Sequence, residues 1–171
     1  ATDLDSKVLD ESGIAAAARR YVEQLNASIN QPVRFHVTGR VRRIPIEIER
    51  VLFRGLKEAL SNALRHAQAN EVSAQLHLGT RSARLTVEDD GIGFDPALLA
   101  PGNDAAQSFG LPGLRRQVQW LGGEFSVESA PGKGTTLMLE IQLPSSIARE
   151  GQTVRVLVVD AHDMMRRGLM A

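Results

Sequence analysis

The chain contains no cysteine, which excludes disulfides, thiolate zinc sites and cysteine nucleophiles and suits a reducing cytoplasm. No apolar run approaches the ~20 residues that a bilayer-spanning helix requires, and no signal-peptide pattern opens the sequence. The expectation is a soluble cytoplasmic fragment without direct membrane contact, whether or not a longer parent is membrane-bound. Neither sign of charge is in excess. Lys and Arg total 20 and Asp and Glu total 20, so nothing argues for nucleic acid or another polyanion as partner. Internal repeats are absent as well. What is there is an ordinary globular composition, 43% hydrophobic and 23% charged over 171 residues. That is enough for one good core and a fragment of a second domain.

Local patterning divides the chain. Ala1 to Glu11 is polar and acidic and is expected outside the core. From Gly13 to Ser28, Ile14, Ala17, Ala18, Tyr21, Val22 and Leu25 recur at helical spacing. Val33 to Val37 alternates as a strand does. Pro45 suits the first turn of a helix running to about Ala67. Val72, Ala74, Leu76 and Leu78 alternate, as do Leu85 and Val87 after the turn Gly79–Ser82, which predicts an antiparallel hairpin. Phe94 to Ser108 reads as a long loop of the kind that forms functional lids. A helix over Leu111–Leu121 and a second hairpin, Glu124–Ser129 with Thr135–Leu143, complete an α-β-α-β-β-loop-α-β-β order. That order predicts an α/β fold, a two-layer sandwich with helices on one face of a mixed sheet. Pro144 to Thr153 reads as a polar linker, and Val154–Val159 as a buried strand of something begun and not finished.

Two runs carry chemistry. On the helix wheel Glu58, Asn62, Arg65 and His66 share one side, while Leu52, Phe53, Leu56, Leu60, Ala63, Leu64 and Ala67 form the other. The side bearing Glu58 is either a plain solvated face or a ligand site. Asparagine favours caps and turns, so Asn62 in mid-helix points to a ligand. Its amide oxygen suits Mg²⁺, which keeps most of its waters. Arg65 presents a planar fork for phosphate, and Glu58 is placed to orient or deprotonate an attacking group. The second run, Asp89-Asp-Gly91-Ile-Gly93, reads as a strand ending in a loosened turn. An ionised Asp89 accepts hydrogen bonds only, so it suits the amino group of adenine and disfavours guanine. Gly110-Leu111-Pro-Gly113 opens a helix whose first amides attract phosphate. Taken singly, each of these is also a common turn.

Taken in order, they are identifiable. Glu58-x-x-x-Asn62-Ala-Leu-Arg65-His66, Asp89-x-Gly91-x-Gly93-Phe94, Gly110-Leu111-x-Gly113-Leu and Gly132-x-Gly134-Thr135 resemble the asparagine box, the glycine boxes and the closing hairpin of a histidine kinase ATP-binding domain. The pattern is most similar to bacterial sensor kinases that partner response regulators of the LuxR/NarL type. The resemblance covers roughly residues 4–144 and implies the Bergerat-type sandwich shared with gyrase B and MutL. It implies Asn62 for Mg²⁺, Asp89 for adenine, and Arg65 and His66 near the phosphates of ATP. It places Gly91, Gly93, Gly110, Leu111, Gly113 and Thr135 around the pocket and lid, with Glu58 as base or organiser of transfer. Ser108 stands where a lid glycine is often found, and Pro112 stiffens the same loop.

Leu9-Asp-Glu-Ser-Gly13 resembles the segment that joins the phosphoacceptor helices to this domain, so residues 1–12 are expected to be a connector and 13–144 the catalytic domain. Residues 145–153 would be linker. Residues 154–171 resemble the first strand and helix of a receiver domain, with Asp160 kept and Ala161 in place of its acidic neighbour, so no receiver activity is expected. A phosphoacceptor histidine on a helical hairpin is missing, because His36 and His77 sit in strands and His66 belongs to the nucleotide face. The expected activity is therefore to bind ATP and Mg²⁺ and supply the γ-phosphoryl group to a histidine on a separate dimerisation domain, without autophosphorylation by the fragment. The alternatives are a stand-alone ATPase or anti-sigma-type serine kinase of the same superfamily, and a binding module without chemistry.

Overall fold

The computed structural model describes residues 2–30, 32–99 and 110–145. Three helices, α1 (Thr2–Asn26), α2 (Ile46–His66) and α3 (Leu111–Trp120), pack on five strands, β1 (Val33–Gly39), β2 (Val72–Leu78), β3 (Ser82–Asp89), β4 (Glu124–Ser129) and β5 (Thr135–Gln142). The strands lie in the order β1-β2-β3-β5-β4. β1 pairs with β2 in parallel and every other pair is antiparallel. The mixed two-layer sandwich expected from the sequence is the one found.

Register explains the layering. Val37, Leu76, Leu85, Leu139 and Phe125 stand opposite one another across the sheet, as do Phe35, Ala74, Val87, Leu137 and Val127. These inward positions form the core with Leu52, Leu56 and Leu60 of α2. The intervening residues on the outer face are mostly polar: Thr38, His77, Arg84, Glu140 and Glu124 make one cross-strand row. His36 and His77 are exposed there, as expected, and His77 Nδ1 lies 2.9 Å from Thr38 Oγ1. Sheets covered on one face only show this clean alternation.

α2 is the central helix and contacts β2, β3 and β5 as well as both other helices. It lies close to the sheet at Gly55, where any Cβ would collide with Leu139 Cδ1. α1 packs beside α2 through an edge-to-face pair, Tyr21 on Phe53, with ring centroids 5.9 Å apart. No helix among the described residues is long and apolar enough to cross a membrane.

Three expectations need correction. The stretch before Gly13 is helical from Thr2, and Leu9 is buried at 3% exposure, so Ala1–Glu11 does not lie wholly outside the core. The two halves of α1 meet at a kink where Gly13 takes φ 79° and ψ 174°. Pro45 caps α2 from outside and is not in its first turn. The loop after Phe94 contains a short 3₁₀ turn, Pro96–Leu99, whose Leu99 is buried. Ser108, the linker over 146–153 and the receiver-like segment over 154–171 lie outside the described residues.

Candidate nucleotide site

A cavity of about 270 Å³ lies beside the C-terminal half of α2, between it, the end of β3 and residues of α3, β4 and β5. Its walls are largely apolar, with Ala59, Ala63 and Val87 among them, and its polar groups are few: Asn62, His66, Asp89 and Thr135. A mostly apolar cleft with a handful of convergent polar groups is the usual form of a small-molecule site. Asn62 and His66 enter it from the same stretch of α2 as Ala59, Ala63 and Ala67, beside the core run of Leu52, Leu56 and Leu60.

Asp89 is the last residue of β3, opposite Thr135 in the ladder. The Gly91 amide donates to Asp89 Oδ1 at 2.9 Å. Burial raises the Asp89 pKa above the ordinary carboxyl value, the Gly91 and Thr135 amides pull it back in part, and the neighbouring Asp90 charge adds to the rise. Desolvation of an ionised group is costly unless it is paired. Asp89 is thus a half-buried carboxylate whose environment favours a donor that the protein itself supplies only in part.

The turn that follows is tied down on both sides. The Ile92 amide donates to Ala67 O at 2.7 Å, and the Gly132 amide to Ile92 O at 2.6 Å. Ser129 Oγ donates to Gly134 O at 2.9 Å and accepts from the Phe94 amide at 2.9 Å. Gly91 packs on Ala67 so closely that a Cβ would strike the Ala67 carbonyl. The β4–β5 hairpin and the end of α2 therefore hold the 91–94 segment against the cavity.

Of the residues expected from sequence, Asn62, His66, Asp89, Gly93, Leu111 and Thr135 line the cavity. Gly91 sits behind it. Arg65 is exposed and does not line it. Glu58 is also outside the lining, and its carboxylate lies against the backbone of Gly110, where a Cβ would come within 2.6 Å of Cδ. Gly110 takes the left-handed conformation at the N-cap of α3, and no side chain caps that helix. Gly113 lies beside the Arg54 guanidinium, 3.5 Å from the place a Cβ would occupy.

Sequence reasoning missed two kinds of residue here. The apolar lining from Ala59, Ile92, Val127 and Leu137 carried no signal beyond its place in a helix, turn or strand, whereas Phe94 was visible as the last residue of the Asp89–Phe94 motif. Asp90 was read only as a companion to Asp89. Its Oδ1 accepts the Asn70 and Glu71 amides at 2.6 and 2.8 Å, and these bonds, the Glu71 amide first, hold its pKa below the ordinary value. Two carboxylates adjacent in sequence thus point to opposite tasks, one into the cavity and one into the α2–β2 turn.

Comparison with known proteins agrees with this geometry. Residues 47–145 match the family described as "Histidine kinase-, DNA gyrase B-, and HSP90-like ATPase". The chain is 30% identical over 141 residues to the signal transduction histidine-protein kinase/phosphatase DegS of Brevibacillus brevis, covering 82% of this chain and 35% of that protein. It is 31% identical over 142 residues to the oxygen sensor histidine kinase NreB of Staphylococcus carnosus, covering 82% of this chain and 40% of that protein. The chain thus spans well under half the length of these relatives. Among solved structures, the histidine kinase domain of the Erythrobacter litoralis EL346 blue-light activated kinase superposes with a TM-score of 0.57 at 26% identity, covering 80% of this chain and 65% of that one. The family match covers more than half of the chain and includes Asn62, Asp89 and both later glycine motifs. This chain belongs to the histidine kinase-, DNA gyrase B- and HSP90-like ATPase family, and it has the fold of a histidine kinase catalytic domain.

Proposed function

We propose that this chain is the ATP- and Mg²⁺-binding catalytic domain of a two-component sensor histidine kinase. The parent protein would join it through residues 1–12 to a dimerisation domain carrying the phosphoacceptor histidine, and would partner a response regulator of the LuxR/NarL type. Residues 13–144 form the catalytic unit in this reading, with 145–153 as linker and 154–171 as a truncated receiver-like segment.

One observation carries the reading: the cavity gathers the Asp89 carboxylate, the Asn62 amide and the His66 ring between apolar walls. Asp89 accepts the exocyclic amino group of adenine, the donor that its burial favours. Ile92, Phe94 and Leu137 enclose the base. Among the described residues no group of three or more His, Cys, Asp or Glu could hold a metal on its own. A hard ion brought in by the phosphates needs only one protein oxygen, and Asn62 offers it. Bound Mg²⁺ would neutralise charge developing on the transferred phosphoryl group.

In the transfer itself the bond from the γ-phosphorus to the bridging oxygen breaks, a bond to the acceptor imidazole nitrogen forms, and ADP leaves. The acceptor must shed its ring proton. Glu58, which lies beside Gly110 at the start of α3, is the carboxylate assigned to orient the ring or take that proton.

Nucleotide titration with and without Mg²⁺ tests the assignment. The parent chain should bind ATP and discriminate against GTP, and Asp89→Asn should lose ~1.5–3 kcal/mol of ATP binding, the scale of a charge-assisted hydrogen bond. Equal affinity for ATP and GTP would overturn the adenine assignment. Stable incorporation of radiolabelled γ-phosphate by the isolated chain would overturn the placement of the acceptor on another domain.

A further inference from the structure

The one buried charged residue among the described residues lies far from the nucleotide cavity. Glu49, in the first turn of α2, has no solvent exposure. Arg43 holds both of its oxygens, with Nε 3.3 Å from Oε1 and Nη2 3.1 Å from Oε2, and the Ile44 amide donates to Oε1 at 3.3 Å. The remaining arm of the same guanidinium, Nη1, donates to the Asp10 carbonyl at 3.1 Å. Asp10 is anchored a second time through its carboxylate, 3.1 Å from Arg50 of α2.

These contacts converge on the kink in α1. Gly13 holds a backbone conformation that other residues rarely adopt, and a Cβ there would lie 2.9 Å from Arg43 Cδ and 3.2 Å from Glu49 Oε1. A break in a helix strands the carbonyls of the preceding turn. Asp10 O is such a carbonyl, and Arg43 supplies its donor. The space left by the missing side chain at Gly13 is the space that Arg43 and Glu49 fill.

We propose that Arg43 and Glu49 form a clamp that sets the angle of the Gly13 kink, so that residues 2–12 leave the domain in one fixed direction. A glycine between two helices otherwise suggests a swivel. Here the swivel is occupied by a two-point ion pair on a buried carboxylate, and a buried charge tolerates very little displacement of its partner before desolvation is unbalanced. The clamp joins the incoming helix to the first turn of α2, the helix that carries Asn62 and His66 into the cavity. Arg43 and Glu49 are therefore positioning residues: a rotation imposed on residues 2–12 is delivered to α2 and not absorbed at the glycine. The bearing of this on phosphoryl transfer rests on the function proposed above, whereas the clamp itself does not.

The absence of cysteine makes the test direct. Spin labels placed on Lys7→Cys in α1 and Gln75→Cys on the outer face of β2, both exposed positions, report the direction of the incoming helix as a distance distribution. With the clamp intact the distribution should be a single narrow peak. Arg43→Met with Glu49→Gln removes both charges together and should shift and broaden it. Arg43→Lys keeps the charge against Glu49 but lacks the planar fork, so it should fold where the double variant does not, and it should also broaden the peak. An unchanged narrow peak in Arg43→Lys, or in the folded double variant, overturns the clamp. ATP affinity, measured on the same proteins, should stay within about twofold of the parent, as expected for sites that share no contacts. Distances do not depend on nucleotide, so a complete lack of ATP binding would sink the proposed function and leave the clamp standing.

Discussion

The two ends of α2 treat polar groups in opposite ways. At its N-terminal turn Glu49, Arg43, the Ile44 amide and the Asp10 carbonyl satisfy one another. Along its C-terminal half Asp89 is held only in part, Glu58 lies against Gly110 with no ion pair among the described residues, and α3 begins without a side-chain cap. Both ends remove polar groups from water. Only the first supplies complete partners. A satisfied buried network fixes a geometry, because every displacement costs a hydrogen bond. An incompletely satisfied one is less stable as it stands and gains from a ligand that completes it. One helix thus carries a structural end and a receptive end, and the difference lies in the count of donors and acceptors more than in residue type.

That contrast can be broken most forcefully at the structural end. Arg43→Ala leaves the fully buried Glu49 carboxylate without its cation and should cost about 3 kcal/mol in urea unfolding, the low end for an orphaned buried charge because Arg43 is half in water. Adding Glu49→Gln should return much of that loss. A cost under about 0.5 kcal/mol, the level of an ordinary surface substitution, would make the pair no different from the exposed Arg34–Glu71 bridge.

Asp89→Asn should do the reverse. Because burial raises its pKa, the ionised form is disfavoured by folding, and removing the charge should hold or increase stability while ATP binding falls by ~1.5–3 kcal/mol. Loss of stability and binding together would mean that Asp89 belongs to the structural class.

Acid separates the two carboxylates of the same turn. Asp89, with a folded pKa above its unfolded value, should protonate first, so nucleotide affinity should decline at a pH above 3.8, the ordinary aspartate value. Asp90 has a folded pKa below 3.8, so the stability it contributes is present above 3.8 and is lost only as the pH falls through the lower folded value. Unfolding curves for Asp90→Asn against the parent should therefore differ at neutral pH and converge below 3.8. Affinity that falls only in step with stability would remove the distinction.

The smallest expected effect is at Arg65. It is exposed and outside the cavity lining, so Arg65→Ala should leave stability within about 0.5 kcal/mol and weaken ATP binding by no more than about 1 kcal/mol, as for a solvated ion pair. Unchanged nucleotide affinity would take Arg65 out of the site altogether.

Much of the receptive end could be read from the sequence, and little of the structural end. Leu52, Leu56 and Leu60 mark the core side of α2 by their spacing, which leaves Asn62 and His66 on the other side with no further information needed. Alternation in β2 and β3 is visible because their outer face is solvated. Glu49 gives no such signal: an acidic residue in the first turn of a helix reads as a solvated group favoured by the helix dipole, and only the fold brings Arg43 and Asp10 around it. Leu4, Val8 and Leu9 are the few large apolar residues in an otherwise polar and acidic stretch, too few to announce a buried helix. The parallel pairing of β1 with β2 joins segments separated by the whole of α2, and residue patterns do not encode such pairings. Asp89 and Asp90 are chemically identical until the strand ends between them.

The uninterrupted length of α2 has a mechanical consequence. From Glu49 to His66 its axis runs about 25 Å at 1.5 Å per residue, with the buried ion pair at one end and the cavity at the other. A rod of that length pivoting at its first turn converts a tilt of ~2° into ~1 Å of travel at its tip, a misplacement large enough to slow an aligned reaction about a hundredfold. A disturbance at Glu49 small enough to leave ATP affinity within about twofold would then still be read in the alignment of the transfer.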